Sequence, residues 1–269
     1  MSNVEKANDM KYSHFIVCGD SYSEGMCDEV VDGKYRGWAD RVADEMSKHH
    51  PEFTYTNLAV RGKTVSQVVN DQVPEAIKYV TGKETLISFH AGANDAIRPG
   101  YDSAKTIALY QGAVRDLAKT GASLLLFTVL EDTGNKGKGS KIWKERFAEF
   151  NEAIREVGRE VGATISDANG LDFFKDNRFL AFDRLHLNAE GHWRASQGVL
   201  EVLEYPNDPA WRVPLPPAKK TPWLKRRAMG LLWVFVFVIP WIIRRLQGRS
   251  SGDNREAKYP TPIAWPTNS

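Results

Sequence analysis

Ser21 stands just past the apolar run His14-Phe15-Ile16-Val17-Cys18, behind Gly19-Asp20. A serine hydroxyl is a poor nucleophile at neutral pH. It needs a general base in hydrogen-bond reach, a group that orients the base, and donors for the oxyanion that forms on attack. The chain offers a candidate for each role. His186 can serve as base, and Asp183, on the same turn, can accept the Nδ1 proton and so fix the tautomer that leaves Nε2 facing Ser21. The oxyanion donors would be the backbone N–H of Ser21, the N–H of Gly62 and the side-chain amide of Asn94. Gly62 suits the task because a residue without Cβ lets its amide approach a substrate closely. The chemistry these residues could perform is acyl transfer.

Elements that would position them follow from the hydrophobic pattern. Residues 14–18, 53–60, 85–89, 123–129 and 162–167 read as strands, being short, apolar and rich in β-branched or aromatic residues. Between them, residues 37–49, 65–80, 103–119, 143–161 and 189–203 carry apolar residues at helical spacing, with Thr64 and Asn188 as N-caps. Strand alternating with helix predicts βαβ units, hence an α/β fold with a parallel sheet covered on both faces. In such sheets the functional groups sit in the crevice beyond the carboxyl ends of the strands. Ser21, Gly62 and Asn94 each follow a strand end. His186 follows residues 168–182, a long connection of the kind that shapes a site.

Four blocks in this order resemble the SGNH (GDSL-type) hydrolase family: Gly19-Asp20-Ser21-Tyr22-Ser23, then Gly62 after Asn57-Leu58-Ala59-Val60-Arg61, then Gly92-Ala93-Asn94-Asp95, and finally Asp183-Arg184-Leu185-His186. The resemblance covers about residues 12–203, and no block departs at its catalytic letter. It implies a three-layer α/β/α sandwich with a five-stranded parallel sheet, of flavodoxin-like arrangement. It also implies a Ser21-His186-Asp183 triad, an oxyanion hole from Ser21, Gly62 and Asn94, and hydrolysis of an ester or thioester with no metal and no cofactor. Thioesterase, lysophospholipase and carbohydrate O-acetylesterase activities all fall within it. A non-catalytic scaffold of the same fold is the alternative from another class. The motif Pro240-Trp241, Arg244-Arg245-Leu246, Gly248-Arg249-Ser250-Ser251-Gly252-Asp253 resembles that of an actinobacterial branch.

Other residues have weaker claims. Glu24, Arg61 and Arg98 flank the blocks and read as exposed charge on a rim rather than as substrate contacts. His90 ends the third strand and could replace His186 as base, but Asp183 beside His186 argues against it. The spacing of His192 from His186 suits no helical metal pair, so it reads as a helix-face residue. Cys27 has nothing nearby in sequence to lower its pKa. Residues 133–140, Thr-Gly-Asn-Lys-Gly-Lys-Gly-Ser, lack the spacing of a phosphate-binding loop and read as a mobile surface loop.

Composition divides the 269 residues unevenly. Residues 1–217 carry 26 Lys and Arg against 32 Asp and Glu, whereas 218–250 carry eight basic residues and no acidic one. A mildly acidic body predicts no nucleic-acid partner, and the basic tail predicts an anionic surface; the family resemblance implies a small-molecule or lipid ester substrate. We divide the chain into a polar segment (1–11), a catalytic domain (12–213), a Pro-rich linker (214–222) and a basic, apolar tail (223–269). Two cysteines are too few for a disulfide framework, and the N-terminus is not a secretory signal, so a cytoplasmic setting is expected. Oligomeric state is not readable. As a helix, residues 228–243 would extend about 24 Å, short of a hydrocarbon core of about 30 Å, and Pro240 would kink it. A helix docked on the body, an interfacial segment and a short membrane insertion through 223–249 remain the competing arrangements, with basic clusters on both sides favouring attachment to the inner face of a membrane.

Overall fold

The computed structural model describes residues 11–132, 138–218, 222–247 and 249–266. Five parallel strands form most of one sheet: β1 (His14–Gly19), β2 (Thr54–Asn57), β3 (Thr85–His90), β4 (Ser123–Phe127) and β5 (Thr164–Ser166). The order across the sheet is β5-β4-β3-β1-β2, continued by a sixth strand, β6 (Tyr259–Ala264). β1 pairs along its length with β3, from His14 opposite Thr85 to Gly19 opposite His90. Strand order reverses between β1 and β3, which makes their carboxyl ends the switch point at which an open sheet of this kind places its ligands.

All six residues of β1 are buried, which explains why it reads as an unbroken apolar run. Alternation still divides it. Phe15 and Val17 pack with Trp38, Tyr55 and Val199 on one face, under helices α2 (Gly37–Met46) and α6 (Ala189–Val202); α1, α3, α4 and α5 are Ser21–Glu24, Ala93–Ala96, Ser103–Lys119 and Lys138–Val161. Ile16 and Cys18 pack with Ile87, Tyr110, Phe150 and Ile154 on the other, under α4 and α5. Three layers, helix on sheet on helix, follow from these two cores.

The helical run 65–77 begins at the expected cap: Thr64 and Gln67 form a reciprocal capping box. It is not continuous to residue 80. A π-turn, Val68–Gln72, intervenes before Val73–Ile77, whose second residue is Pro74. Proline lacks the N–H for an i−4 bond, and the wider turn accommodates it. Helix α5 starts at Lys138, earlier than expected, so residues 138–140 are helical rather than loop; residues 133–137 lie outside the described residues.

The sheet also departs from five parallel strands. β6 lies antiparallel on β2, with Thr54 opposite Ala264 and Asn57 opposite Tyr259. Its prolines, Pro260 and Pro262, confine it to an edge, since proline cannot donate to a ladder on both sides. Lys258, beside it, is buried and forms an ion pair with buried Asp40 at 2.7 Å. Burial pushes the Asp40 carboxyl up to about 6 although Lys258 pulls it down. Burial likewise lowers the Lys258 ammonium, opposed by Asp40.

Between the body and β6 runs the apolar helix, α7 (Trp223–Trp233), a π-turn at Val234–Val238 and α8 (Ile239–Leu246). The π-turn precedes Pro240 and absorbs the same missing donor. This helix is not docked in a core. An 18-residue window within Trp223–Arg244 has a mean hydropathy of 1.7, yet Leu231, Phe235 and Ile243 are exposed.

Candidate active site

Ser21 is held by the way β1 ends. Gln72, turned inward by the π-turn, is buried and bonds both sides of Gly19: its Oε1 accepts from the Gly19 N–H at 2.7 Å and its Nε2 donates to the Gly19 carbonyl at 2.9 Å. Gly19 admits no side chain, since a Cβ would stand 2.7 Å from the His90 carbonyl oxygen. Asp20 then caps α1, accepting from the Tyr22 N–H at 3.1 Å, and Ser21 takes the first helical position. Asn57, at the end of β2, donates to the Ser23 carbonyl at 3.1 Å and so fastens α1 to the neighbouring strand.

The residues predicted for nucleophile, base and orienting acid come together. His186 Nε2 lies 2.9 Å from Ser21 Oγ, and His186 Nδ1 lies 2.7 Å from Asp183 Oδ2. Asp183 Oδ1 accepts two main-chain N–H bonds, from Leu185 at 2.9 Å and His186 at 3.0 Å, which closes the turn and aims the carboxylate. Burial would push the Asp183 carboxyl up, but the His186 ring and these amides outweigh it and hold it below the usual carboxylate range. An ionised Asp183 keeps the proton on Nδ1, so Nε2 is left to accept from the Ser21 hydroxyl.

Cys27 donates its thiol to the same Asp183 Oδ2 at 3.6 Å. Burial, with Asp183 adding to it, pushes that thiol up to about 12. Cys27, Asp183 and His186 therefore lie within 4.8 Å of one another, a grouping that could hold a metal ion by distance alone. Its chemistry fits hydrogen bonding better: a metal takes thiolate, and this thiol sits beside a carboxylate that keeps it protonated.

Gly62 and Asn94 do not hydrogen-bond Ser21 directly among the described residues; they reach it through Asp20 and the loops. Asn94, in α3, donates from Nδ2 to Asp20 Oδ2 and to the Lys63 carbonyl, both at 3.1 Å. Asp95 accepts from the Val65 N–H at 3.0 Å, and burial foremost pushes its carboxyl up to about 6. These bonds tie the loop after β3 to the loop after β2. Gly62 has φ +76°, a region open to glycine at little cost, and its carbonyl accepts from Arg98 Nη2 at 3.2 Å.

None of the three charges expected at an exposed rim is exposed: Arg61 is buried, and Glu24 and Arg98 are half-buried. Glu24 grips Arg61 through the Arg61 N–H at 2.6 Å and through the guanidinium, Nε at 2.9 Å and Nη2, and both side chains are mostly buried. Arg61 thus braces the Gly62 loop against α1. His90 faces Asp20, at 3.3 Å, rather than Ser21. His192 is on a helix face, but the buried one: Nε2 meets the Met26 carbonyl at 3.1 Å, and burial pushes its pKa down to about 4. Gln72 and Asn57 carried no functional reading in sequence. Pro74 near Gln72 was the available signal for Gln72.

The tail supplies contacts that sequence did not indicate. Trp233 Nε1 donates to the Asp183 carbonyl at 3.0 Å, and the Arg184 guanidinium lies over its ring. Further on, Ser250 Oγ donates to the Gly62 carbonyl at 3.4 Å, and Gly252 packs so closely on Arg61 that a Cβ would collide with its carbonyl.

The family model of GDSL-like lipases/acylhydrolases matches residues 17–194. No curated protein matches the chain. Among solved structures, similar ones include the acetylxylan esterase Axe2 from Geobacillus stearothermophilus, with TM-score 0.57 at 16% identity over 72% of this chain and 95% of that one. A lipolytic protein of the G-D-S-L family from Veillonella parvula gives 0.55 at 22% identity over 71% and 98%. The psychrotrophic esterase EstA from Pseudoalteromonas gives 0.55 at 16% over 71% and 97%. At such identities the likeness is one of fold.

Proposed function

The chain belongs to the GDSL-like lipase/acylhydrolase family, and from that membership we propose that it is a serine hydrolase of carboxylic esters, with Ser21 as nucleophile, His186 as general base and Asp183 as the acid that orients it. The observation that carries this reading is the unbroken relay from Ser21 Oγ through the His186 ring to Asp183, at 2.9 and 2.7 Å.

In the first half-reaction His186 Nε2 takes the Ser21 proton as Oγ attacks the acyl carbonyl. The oxyanion so formed takes hydrogen bonds from the Ser21 and Gly62 amides and from Asn94, whose Nδ2 can turn from the Lys63 carbonyl to the substrate while keeping Asp20. Collapse breaks the bond to the alcohol oxygen, which leaves with the proton held by His186. Water, deprotonated by the same nitrogen, then attacks the acyl-enzyme; the acid departs and Ser21 regains its proton. The sum is ester plus water to acid plus alcohol. The setting in this reading is the cytoplasm, with the tail at the inner face of the cell membrane.

The test is turnover of p-nitrophenyl esters from acetate to palmitate, with labelling by a fluorophosphonate probe, on wild type and Ser21→Ala. Wild type should hydrolyse at least one chain length and label; Ser21→Ala should lose labelling and roughly a thousandfold or more of the rate. Undiminished turnover in Ser21→Ala moves the nucleophile elsewhere, and no turnover by wild type favours a non-catalytic scaffold.

A further inference from the structure

The apolar helix 223–246 is long enough to cross a bilayer, about 36 Å at 1.5 Å per residue, but its connections argue against a crossing. On one side Val213 is fixed to the body, its carbonyl accepting from Arg194 at 2.6 Å. On the other, only a few residues separate Leu246 from Ser250, which touches Gly62, and β6 then joins the sheet. Were the helix to span, its start would lie across the hydrocarbon from a body that holds both flanking segments. Residues 214–222 would have to return through the core with four prolines, Lys219 and Lys220, leaving polar groups unpaired in lipid.

Along the helix, burial repeats. Gly230, Trp233, Val234, Phe237, Trp241 and Arg244 are half-buried, at the i, i+3, i+4 rhythm of one face, and Trp233 on that face rests on the Asp183 turn. The opposite face presents Leu231, Leu232, Phe235, Val236, Ile242 and Ile243 to the outside. A contiguous apolar face of this kind marks an interaction site. Lys225, Arg226 and Arg227 precede it and Arg249 follows, with no acidic residue between 218 and 250. Beside the triad, Phe182 and Leu185 are also exposed, at 45% and 47%, on the turn that Trp233 touches.

We propose that this helix lies flat in the interface of an anionic lipid leaflet as a one-sided anchor, and that the ester reaching Ser21 is drawn from that leaflet. The substrate class rests on the hydrolase reading above; the anchoring does not. The charge around the apolar face matches anionic headgroups, and a helix of this make-up sinks about 5–10 Å, the depth at which ester groups of lipids lie. The contact between Trp233 and Asp183 then sets the triad's turn, with Phe182 and Leu185, against the same surface.

Three measurements test this on the full chain. Flotation with phosphatidylglycerol-containing vesicles should capture about tenfold more protein than with phosphatidylcholine alone, and raised salt should reduce the capture. On those vesicles a membrane-impermeant maleimide should label Glu256→Cys as completely as Lys119→Cys, since both lie on one side. Cleavage of 4-methylumbelliferyl oleate dissolved in the vesicles should fall about tenfold in a Phe235→Glu/Ile242→Glu variant whose thermal melt matches wild type. Failure to bind anionic vesicles overturns the anchor, as does a stable dimer by light scattering that the same double variant dissociates. Protection of Glu256→Cys replaces it with a true span. If the double variant unfolds, flotation and labelling of the otherwise native chain still decide. Hydrolysis of p-nitrophenyl acetate without turnover of the vesicle ester overturns the lipid substrate while leaving the hydrolase standing, whereas vesicle binding without any Ser21-dependent hydrolysis overturns the hydrolase and keeps the anchor.

Discussion

The indole N–H of Trp233 donates to the main-chain carbonyl of Asp183 at 3.0 Å, and its ring carries the guanidinium of Arg184 at 4.7 Å from its centroid. Arg184 has φ +61°, a left-handed conformation that costs a non-glycine residue roughly 1–2 kcal/mol. The tail helix thus braces the Asp183–His186 turn at a point where the backbone is strained.

Trp233→Phe keeps a ring for Arg184 and removes the hydrogen bond, while Trp233→Ala removes both. With a soluble p-nitrophenyl ester we expect kcat to fall about threefold in the first and about tenfold in the second, with KM little changed, because a hydrogen bond is worth about 1 kcal/mol. A change confined to KM would assign Trp233 to substrate contact instead of positioning.

Asp183→Asn should lower kcat/KM by roughly a thousandfold or more, since an amide cannot hold the imidazole in the tautomer that leaves Nε2 free to accept from Ser21. Cys27→Ala at the neighbouring position should cost less than tenfold, because its thiol is a long, weak donor to the same oxygen. Steady-state kinetics of the two variants with one ester checks the order; equal losses would place Cys27 within the machinery.

Lys258→Met leaves Asp40 buried without its cation, and removing one partner of a buried pair costs about 3–5 kcal/mol. Urea denaturation should show a loss of that size, and the double variant Asp40→Asn/Lys258→Met should recover part of it. A Lys258→Met protein as stable as wild type would show that the buried Lys258–Asp40 pair adds nothing net to stability.

His192 gives a pH dependence of stability. An unfolded histidine titrates near 6.5, the buried one near about 4, so between those values the unfolded chain binds a proton that the native chain does not. Stability is therefore complete above about pH 6.5 and falls as pH drops toward 4, by up to about 3 kcal/mol, with no further loss from this group below. Denaturant titrations across pH 4 to 7 should show that slope, reduced in His192→Gln; an unchanged slope assigns the acid loss to other groups.

Much of the site was readable because its parts are local. Gly19-Asp20-Ser21, Asn94-Asp95 and Asp183 through His186 each combine a chemical group with the turn that presents it, and Asp183 with the amides of Leu185 and His186 is a contact within four residues. Burial of the Glu24–Arg61 pair was not readable, since a charged residue after a strand end looks the same whether its partner is water or a carboxylate 37 residues away.

Composition and periodicity by themselves determined that β1 to β5 alternate with helices, and the motifs placed the candidate residues Ser21, Gly62 and Asn94 after β1, β2 and β3, because strand and helix register in the hydrophobic pattern over a few residues. They also determined that residues 228–243 are apolar and flanked by positive charge. Only the tertiary structure decided that the chain after 249 returns to the sheet, adds β6 to β2, buries Lys258 against Asp40 and lets Trp233 brace the Asp183 turn. Those contacts join residues 50 to more than 200 positions apart. They depend on which backbone edge and which buried carboxylate remain unpaired once the body has folded, and no local pattern in the tail encodes that.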